Sequence, residues 1–161
     1  MTRWGVFLDR DGTVNADPGY LHDPDQLRLL PGAAEAIARL NRRGVPVILV
    51  TNQAGIARGL YTETDFWRVQ ERLSGELGKA GARLDAVYFC PHHPDGTVLP
   101  YRVVCQCRKP RPGMLLRAAA EHGLDLSTSF MIGDRPSDVQ AGASAGCRTV
   151  LVGMPPAREG G

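Results

Sequence analysis

The chain has 161 residues, of which 43% are hydrophobic and 22% are charged, and its formal net charge at pH 7 is +2. A chain of this length fits one domain and buries roughly 70% of the surface that it exposes when unfolded. The small net charge does not favour binding to nucleic acid or to a membrane surface. No apolar run approaches the ~18 residues of a membrane-spanning helix, and the N-terminus lacks the apolar core of a signal peptide. We therefore expect a cytoplasmic protein whose four cysteines stay reduced.

Short apolar runs alternate with helical stretches along the chain, which predicts βαβ units and an α/β fold with a doubly wound, mainly parallel sheet. The strand candidates are continuously apolar, as is typical of a parallel sheet covered on both faces; they are Trp4–Leu8, Val45–Val50, Ala86–Phe89, Phe130–Ile132 and Thr149–Val152. The helix candidates are Pro31–Arg42, Thr62–Lys79, Pro112–Glu121 and Pro136–Ala145. We expect residues 1–153 to form a single domain and residues 154–161 to form a loose tail.

Two predicted loops are longer than is usual in a compact domain. Gly12–Leu30 follows the first strand, and Cys90–Arg111 follows the third. Loops of this length are uncommon unless they serve a function. We therefore expect both loops to contribute to a site.

Polar side chains follow the predicted strands at the points where the strands end. Asp9 and Asp11 come directly after the first strand, and as residues i and i+2 of an extended segment they share a face. Thr51, Asn52 and Gln53 follow the second strand, and Asp134 follows the fourth, with Asp138 further on. The basic pair Arg108 and Lys109 lies ahead of the third predicted helix. Ligands of open α/β sheets bind beyond the carboxyl ends of the strands. A nucleophile, an acid or base, a hydroxyl, a lysine and a third carboxylate are the groups that hydrolysis of a phosphomonoester requires.

The run Asp9-Arg10-Asp11-Gly12-Thr13 resembles the first motif of the haloacid dehalogenase superfamily of phosphatases, Asp-x-Asp-Gly-Thr. Thr51 resembles the second motif, Lys109 the third, and Gly133-Asp134 with Asp138 the fourth, Gly-Asp-x-x-x-Asp. The resemblance covers essentially the whole chain. It implies the Rossmann-like fold of that superfamily, here without room for the large cap domain that usually covers such sites. The two long loops would then shape the mouth of the site.

The same resemblance implies a mechanism. Asp9 would attack phosphorus and form an aspartyl-phosphate, and Asp11 would protonate the leaving oxygen and then take a proton from water. Thr51 and Lys109 would hold the phosphoryl oxygens. A catalytic Mg²⁺ would be bound by Asp9, by the backbone carbonyl of Asp11 and by Asp134, because this ion prefers oxygen ligands.

Three cysteines and a histidine form a second cluster in the Cys90–Arg111 loop. Cys90, His92, Cys105 and Cys107 make a Cys₃His set, which is a recognised tetrahedral zinc coordination. The spacing of one residue within each pair is tighter than usual, and His93 is an alternative to His92. We expect a structural zinc-binding loop at about residues 90–108, with a small ribbon over Thr97–Val104 that brings the pairs together. The alternative without a metal is that these four residues are unligated and that the cysteines stay reduced. Cys147 lies outside the cluster, and we expect it to be a buried residue that packs like an apolar one.

The zinc loop narrows the resemblance to two groups, the D-glycero-D-manno-heptose 1,7-bisphosphate 7-phosphatases and the histidinol-phosphate phosphatases. The insert between His92 and Cys105 and the run from Thr51 to Gly59 resemble the heptose group. That resemblance implies a sugar pocket lined by Asp17, Gly19, Tyr20, Asn52 and Gln53. Arg108 would meet the remote phosphate or sugar hydroxyls, although it is alternatively a solvated charge or a zinc-loop ion pair, and Tyr20 is alternatively a packed loop anchor. Arg135 stands where related heptose enzymes commonly have lysine, and the two are not equivalent at a phosphate site.

The leading hypothesis is therefore an Mg²⁺-dependent phosphatase that removes the C7 phosphate of the heptose bisphosphate. The nearest alternative is a histidinol-phosphate phosphatase, and the alternative of another class is a zinc-knuckle binding module. The sequence leaves the α or β anomer open. We expect a monomer whose partner is a small phosphorylated sugar, with neither nucleic acid nor a membrane as a partner.

Overall fold

The computed structural model describes residues 3–153. Its strands are β1 (Val6–Leu8), β2 (Val47–Asn52), β3 (Ala86–Cys90), β4 (Phe130–Gly133) and β5 (Arg148–Leu151). Its α-helices are α1 (Ala33–Arg42), α2 (Ala54–Ala57), α3 (Glu63–Lys79), α4 (Gly113–His122) and α5 (Pro136–Ala145). The strands form one sheet in the order β3-β2-β1-β4-β5, and every pair is parallel. The predicted α/β class and parallel sheet are confirmed.

The sheet is covered by helices on both faces, because successive side chains of a strand point to opposite sides. In β2, Val47 and Leu49 belong to one buried cluster, which includes residues of α1 and α3. Ile48 and Val50 belong to the other cluster, which includes residues of α4 and α5. The continuous apolar runs of the sequence thus serve two cores, and the carboxyl ends of β1, β2 and β4 are left to carry polar groups.

The predicted elements differ from the observed ones by one or two residues at some of their starts and ends. Thr62 caps α3, and its reciprocal hydrogen bonds with Asp65 complete the predicted capping box. Helix α1 begins at Ala33 and not at Pro31, because Gly32 has a φ of 83° that no helical residue adopts. Strand β2 begins after Pro46, which has no N–H to donate to the sheet.

The ribbon predicted over Thr97–Val104 is wrong. The segment instead contains a 3₁₀ turn at Leu99–Tyr101. The backbone N–H groups of Thr97 and Val98 donate to the carbonyl oxygen of Ala57, at 2.8 and 2.9 Å. These backbone groups bond to the end of α2, a helix that the sequence pattern did not predict, so the segment does not form the paired strands of a ribbon.

The loop Gly12–Leu30 likewise contains a 3₁₀ turn, at Pro24–Gln26. Within residues 3–153 these two loops, and not a separate cap domain, lie over the carboxyl end of the sheet. The tail predicted at residues 154–161 lies outside the described residues. Of the helices in the described range, none combines the length and the apolar character that a membrane crossing requires.

Candidate active site

A buried lysine joins two aspartates at the carboxyl end of the sheet. The ammonium group of Lys109 lies 2.8 Å from Asp9 Oδ1 and 2.7 Å from Asp138 Oδ1, and it also donates to the carbonyl oxygen of Val50 at 2.8 Å. These three acceptors use all three N–H groups of the lysine. Burial raises the pKa of Asp9, the Lys109 charge opposes that rise, and the charge of Asp138 adds to it. Residues one hundred positions apart thus form one charged centre.

Asp134 completes a group of three carboxylates with Asp9 and Asp138, and one oxygen atom from each lies within 4.8 Å of the others. Gly12 allows this approach, because a Cβ atom at that position would collide with the Asp134 carboxylate. Asp138 is already occupied, since it pairs with Lys109 and accepts the backbone N–H of Arg135 at 3.0 Å. Asp9 and Asp134 are therefore the carboxylates with capacity left for a cation, and this oxygen donor set fits Mg²⁺.

The carboxylate of Asp11 is held apart from that group. Arg10 donates to both of its oxygens, at 3.0 and 3.1 Å. Asn15 donates to Oδ1 at 3.0 Å, and Gln53 donates to Oδ2 at 3.1 Å. The predicted contribution of Asp11 to the magnesium site involves its backbone carbonyl, so the side chain remains available for proton transfer.

Sequence reasoning did not single out Arg10, although it is the largest fully buried side chain. Besides the bonds to Asp11, it donates to Gln70 Oε1 at 2.9 Å and lies over the Phe66 ring, with 5.3 Å from the guanidinium carbon to the ring centroid. An arginine beside two aspartates looks like a surface charge in sequence. Only its contacts with α3 show that it fixes Asp11 from inside the protein.

A cavity of about 490 Å³ opens above these carboxylates. Its walls include these residues from the predicted set: Asp9, Asp11, Asp17, Gly19, Tyr20, Asn52, Gln53, Arg108, Lys109 and Arg135. Thr51 and Asp134 are not among the residues that line the cavity, and Thr51 is 1% exposed. Asn52 lines the cavity, but its amide accepts the backbone N–H of Lys109 and donates to the Lys109 carbonyl, each at 3.0 Å. Asn52 therefore anchors the lysine.

Three arginines and a histidine line part of the cavity. Arg58, His93, Arg108 and Arg135 all line it, and sequence reasoning had not identified Arg58 or assigned His93 to this wall. Arg135 donates to Asp17 Oδ2 at 3.1 Å. Arg108 has a buried nitrogen, Nη1, without a hydrogen-bond partner among the described residues. Desolvation, Arg108 and Arg58 all lower the pKa of His93. This wall suits a second anionic group on the ligand.

The four predicted zinc ligands lie together at the base of the long loop. One ligand atom from each of Cys90, His92, Cys105 and Cys107 lies within 4.8 Å of the others. The three sulfur atoms are 3.1 to 3.5 Å apart, and Nδ1 of His92 is 3.3 Å from the Cys107 sulfur. The hydrogen bond between Cys107 and Cys90 lowers the pKa of the Cys107 thiol and raises the pKa of the Cys90 thiol. This donor set fits tetrahedral zinc.

The structure also shows the positions of His93, the alternative to His92, and of Cys147. His93 turns away from the sulfur atoms, and its Nδ1 accepts the backbone N–H of Asp95 at 3.0 Å. Cys147 is 9% exposed and belongs to the core against α4 and α5, as predicted. His92 is therefore the imidazole that accompanies the three thiols.

Comparison with known proteins agrees with this geometry. The family model of haloacid dehalogenase-like hydrolases matches residues 6–64, and a HAD-hydrolase-like model matches residues 106–154. The chain is 46% identical over 158 residues to the D-glycero-beta-D-manno-heptose-1,7-bisphosphate 7-phosphatase of Yersinia pestis, covering 96% of this chain and 84% of that protein. It is 44% identical over 147 residues to the enzyme of the same name from Escherichia coli K12, covering 91% and 77%.

Solved structures give the same result. A D,D-heptose 1,7-bisphosphate phosphatase from B. bronchiseptica, in complex with magnesium and phosphate, is similar with a TM-score of 0.83 and 39% identity over 92% of this chain and 79% of that one. The corresponding enzyme from Burkholderia thailandensis has a TM-score of 0.66 and 33% identity, with coverage of 92% and 77%. The chain therefore belongs to the haloacid dehalogenase-like hydrolases, in the group of phosphatases that includes these heptose bisphosphate enzymes.

Proposed function

We propose that the protein is an Mg²⁺-dependent phosphatase that removes the C7 phosphate from D-glycero-β-D-manno-heptose 1,7-bisphosphate. The observation that carries this proposal is the cluster of Asp9, Lys109 and Asp134 at a cavity that arginines also line, in a chain closely related to enzymes of that name. The names of the curated relatives specify the β anomer, which the sequence motifs leave open.

In the first step, a carboxylate oxygen of Asp9 forms a bond to phosphorus while the bond from phosphorus to the C7 oxygen breaks. Asp11 gives its proton to the departing sugar oxygen. In the second step, water attacks phosphorus of the aspartyl-phosphate, the bond from phosphorus to the Asp9 oxygen breaks, and Asp11 takes a proton from that water. The products are inorganic phosphate, the sugar with a free C7 hydroxyl, and the original carboxylate of Asp9.

Lys109, Thr51 and the magnesium ligands act on the negative charge of Asp9 and of the phosphoryl group. Lys109 offsets negative charge at Asp9, and Thr51 supplies a hydroxyl donor for a phosphoryl oxygen. Asp9, Asp134 and the backbone carbonyl of Asp11 would hold the Mg²⁺. When bound, that ion supplies positive charge against the phosphoryl oxygens as charge develops on them.

Arg108 and its neighbours would bind the second phosphate of the substrate. The unpartnered Nη1 of Arg108 is a buried donor at the cavity wall, and Arg58 adds a second guanidinium there. A guanidinium presents donors in a fork that matches phosphate oxygens. Asp17, Gly19, Tyr20 and Arg135 form the remaining wall, where the sugar would lie.

A panel of substrates tests this assignment. We expect kcat/KM for the β-heptose bisphosphate to exceed that for the α anomer, and to exceed that for histidinol phosphate by well over tenfold. The variant Arg108→Ala should raise KM for the bisphosphate about tenfold to a hundredfold, the range for loss of a hydrogen bond to a charged group. The same variant should change little for a sugar monophosphate phosphorylated only at the C7 position. A preference for histidinol phosphate would refute the assignment.

We further propose that Cys90, His92, Cys105 and Cys107 bind a structural zinc ion. The loop at residues 90–108 has one short 3₁₀ turn and exposes Leu99 and Val104, so it contributes little apolar core of its own. A closed four-ligand site would offset the ordering entropy of this segment.

The variant Cys107→Ser is expected to lose most of the zinc and to unfold more easily. We expect the free energy of unfolding to fall by about 3 kcal/mol, a fraction of the ~10 kcal/mol that structural zinc contributes to small peptides. Elemental analysis and thermal unfolding measure the two effects. Cys147→Ser is the matched control, and it should retain about one zinc per chain because Cys147 lies outside the cluster. Equal zinc contents in the two variants would exclude the site.

The proposal includes a cytoplasmic, monomeric protein in which residues 1–153 form a single domain. The single parallel sheet of the described residues supports the domain assignment.

A further inference from the structure

The side chain of Gln53 connects two groups of the active site. Its Nε2 donates to Asp11 Oδ2 at 3.1 Å and to Thr51 Oγ1 at 2.9 Å. Its Oε1 accepts the hydroxyl of Tyr61 at 2.5 Å. Gln53 is 2% exposed and Tyr61 is 6% exposed. The amide is thus fully engaged within the protein, although it also borders the cavity.

The orientation of this amide is fixed by charge. While Asp11 is ionised, a reversed amide would place Oε1 against a carboxylate oxygen of Asp11, and two acceptors would meet without a proton between them. The Gln53 oxygen therefore points to Tyr61, which must be the donor. Burial raises the pKa of Tyr61, which keeps the proton on that hydroxyl.

The same hydrogen bonds determine the direction in which the Thr51 hydroxyl can donate its proton. A hydroxyl has one proton to donate, and Oγ1 of Thr51 accepts from Gln53. The Thr51 proton is therefore free to point to another acceptor. In the proposed reaction that acceptor is a phosphoryl oxygen.

The ring of Tyr61 is itself held on two sides. It packs against the backbone at Gly55, where a Cβ atom would collide with the ring carbons. The His22 ring stacks on it with centroids 5.7 Å apart and an angle of 8° between the planes. Tyr61 therefore presents its hydroxyl to Gln53 from a fixed position.

We propose that Tyr61 is a positioning residue that acts through Gln53 to orient the Asp11 carboxyl group and the Thr51 hydroxyl. The inference rests on the proposed function, because it concerns proton transfer by Asp11 to a leaving group. Tyr61 does not need to contact the reacting atoms. Its effect is on the geometry of two groups that do.

The variant Tyr61→Phe tests the inference through the leaving group. Proton donation matters for a sugar alkoxide and matters little for 4-nitrophenolate, which leaves as a stable anion. We expect kcat/KM to fall about tenfold for the heptose bisphosphate and about twofold for 4-nitrophenyl phosphate, within the contribution of general acid catalysis. Equal losses for the two substrates, or no loss for either, would overturn the inference.

A double variant shows whether Tyr61 acts through Gln53. Gln53→Leu should give the same dependence on the leaving group, and adding Tyr61→Phe to it should cause no further loss. Additive losses would mean that Tyr61 acts by another route. Tyr88→Phe is the matched control, because Tyr88 donates to Glu121 at 2.7 Å outside the cavity, and it should leave both activities unchanged. Failure of the unaltered protein to hydrolyse either ester would instead refute the proposed function itself.

Discussion

Replacement of Asp9 by asparagine is expected to reduce phosphate ester hydrolysis by about 10⁴-fold or more, the scale seen when a covalent nucleophile is removed. Asparagine matches the size of aspartate, but its neutral amide does not attack phosphorus. The fold should persist, because Lys109 keeps its ion pair with Asp138 and its hydrogen bond to the Val50 carbonyl. Steady-state kinetics and a thermal unfolding curve measure the two properties separately.

Asp23→Asn is a matched control for this variant. Asp23 caps the exposed 3₁₀ turn by accepting the backbone N–H of Asp25 at 2.9 Å, and asparagine caps as well as aspartate. Its activity should equal that of the unaltered protein. The experiment also addresses the zinc-knuckle alternative, because a pure binding module would retain its function in the Asp9→Asn variant. Mass spectrometry of the unaltered protein under turnover should locate a phosphoryl group on Asp9, and an adduct at another residue would contradict the mechanism.

Replacement of Lys109 by methionine is expected to destabilise the protein by about 3–5 kcal/mol near pH 8, the cost of leaving buried charges without their partner. Asp9 and Asp138 would then face each other with no cation between them, and the Val50 carbonyl would lose a donor. Hydrolysis should also fall severely, because the charge that offsets Asp9 is gone. Chemical denaturation without added magnesium, together with steady-state kinetics, measures both effects.

The destabilisation of the Lys109→Met variant should depend on pH. Lys109 lowers the pKa of Asp9, which burial raises above its unfolded value, so loss of the lysine raises the folded-state pKa further. A carboxyl group with a raised pKa is favoured in its protonated form by folding, and its stability contribution is lost as pH rises through the folded-state pKa. The difference from the unaltered protein should therefore be smaller at pH 5 than at pH 8.

Lys79→Met provides the matched control for this substitution. Lys79 forms an exposed ion pair with Glu76 at 2.9 Å on the surface of α3. Removal of such a pair changes stability by less than about 1 kcal/mol. If Lys109→Met lowers the free energy of unfolding no more than the control does, the buried contacts of Lys109 with Asp9 and Asp138 do not stabilise the fold.

The fold was predictable from sequence because strand and helix patterns are local. Continuous apolar runs correspond to the five strands, and the capping box at Thr62 and Asp65 marks the start of α3. The starts of α1 and β2 were predicted two residues too early. The positive φ of Gly32 delays the start of α1, and the missing N–H of Pro46 delays the start of β2. The ribbon in the zinc loop failed because a distant carbonyl, that of Ala57, binds its backbone.

The sequence by itself determined which chemical groups this protein has: carboxylates and a hydroxyl at the ends of parallel strands, a lysine before a helix, and a Cys₃His set in one loop. Residue type and strand order are sufficient for that, because parallel strands bring their carboxyl ends to one edge. Only the tertiary structure decided the partner of each group. Asp138 pairs with Lys109, Asp11 pairs with Arg10, and Gln53 bonds to Tyr61. Such pairings depend on the directions in which the two side chains point. No local sequence pattern specifies those directions when the residues are distant in sequence or lie in a turn.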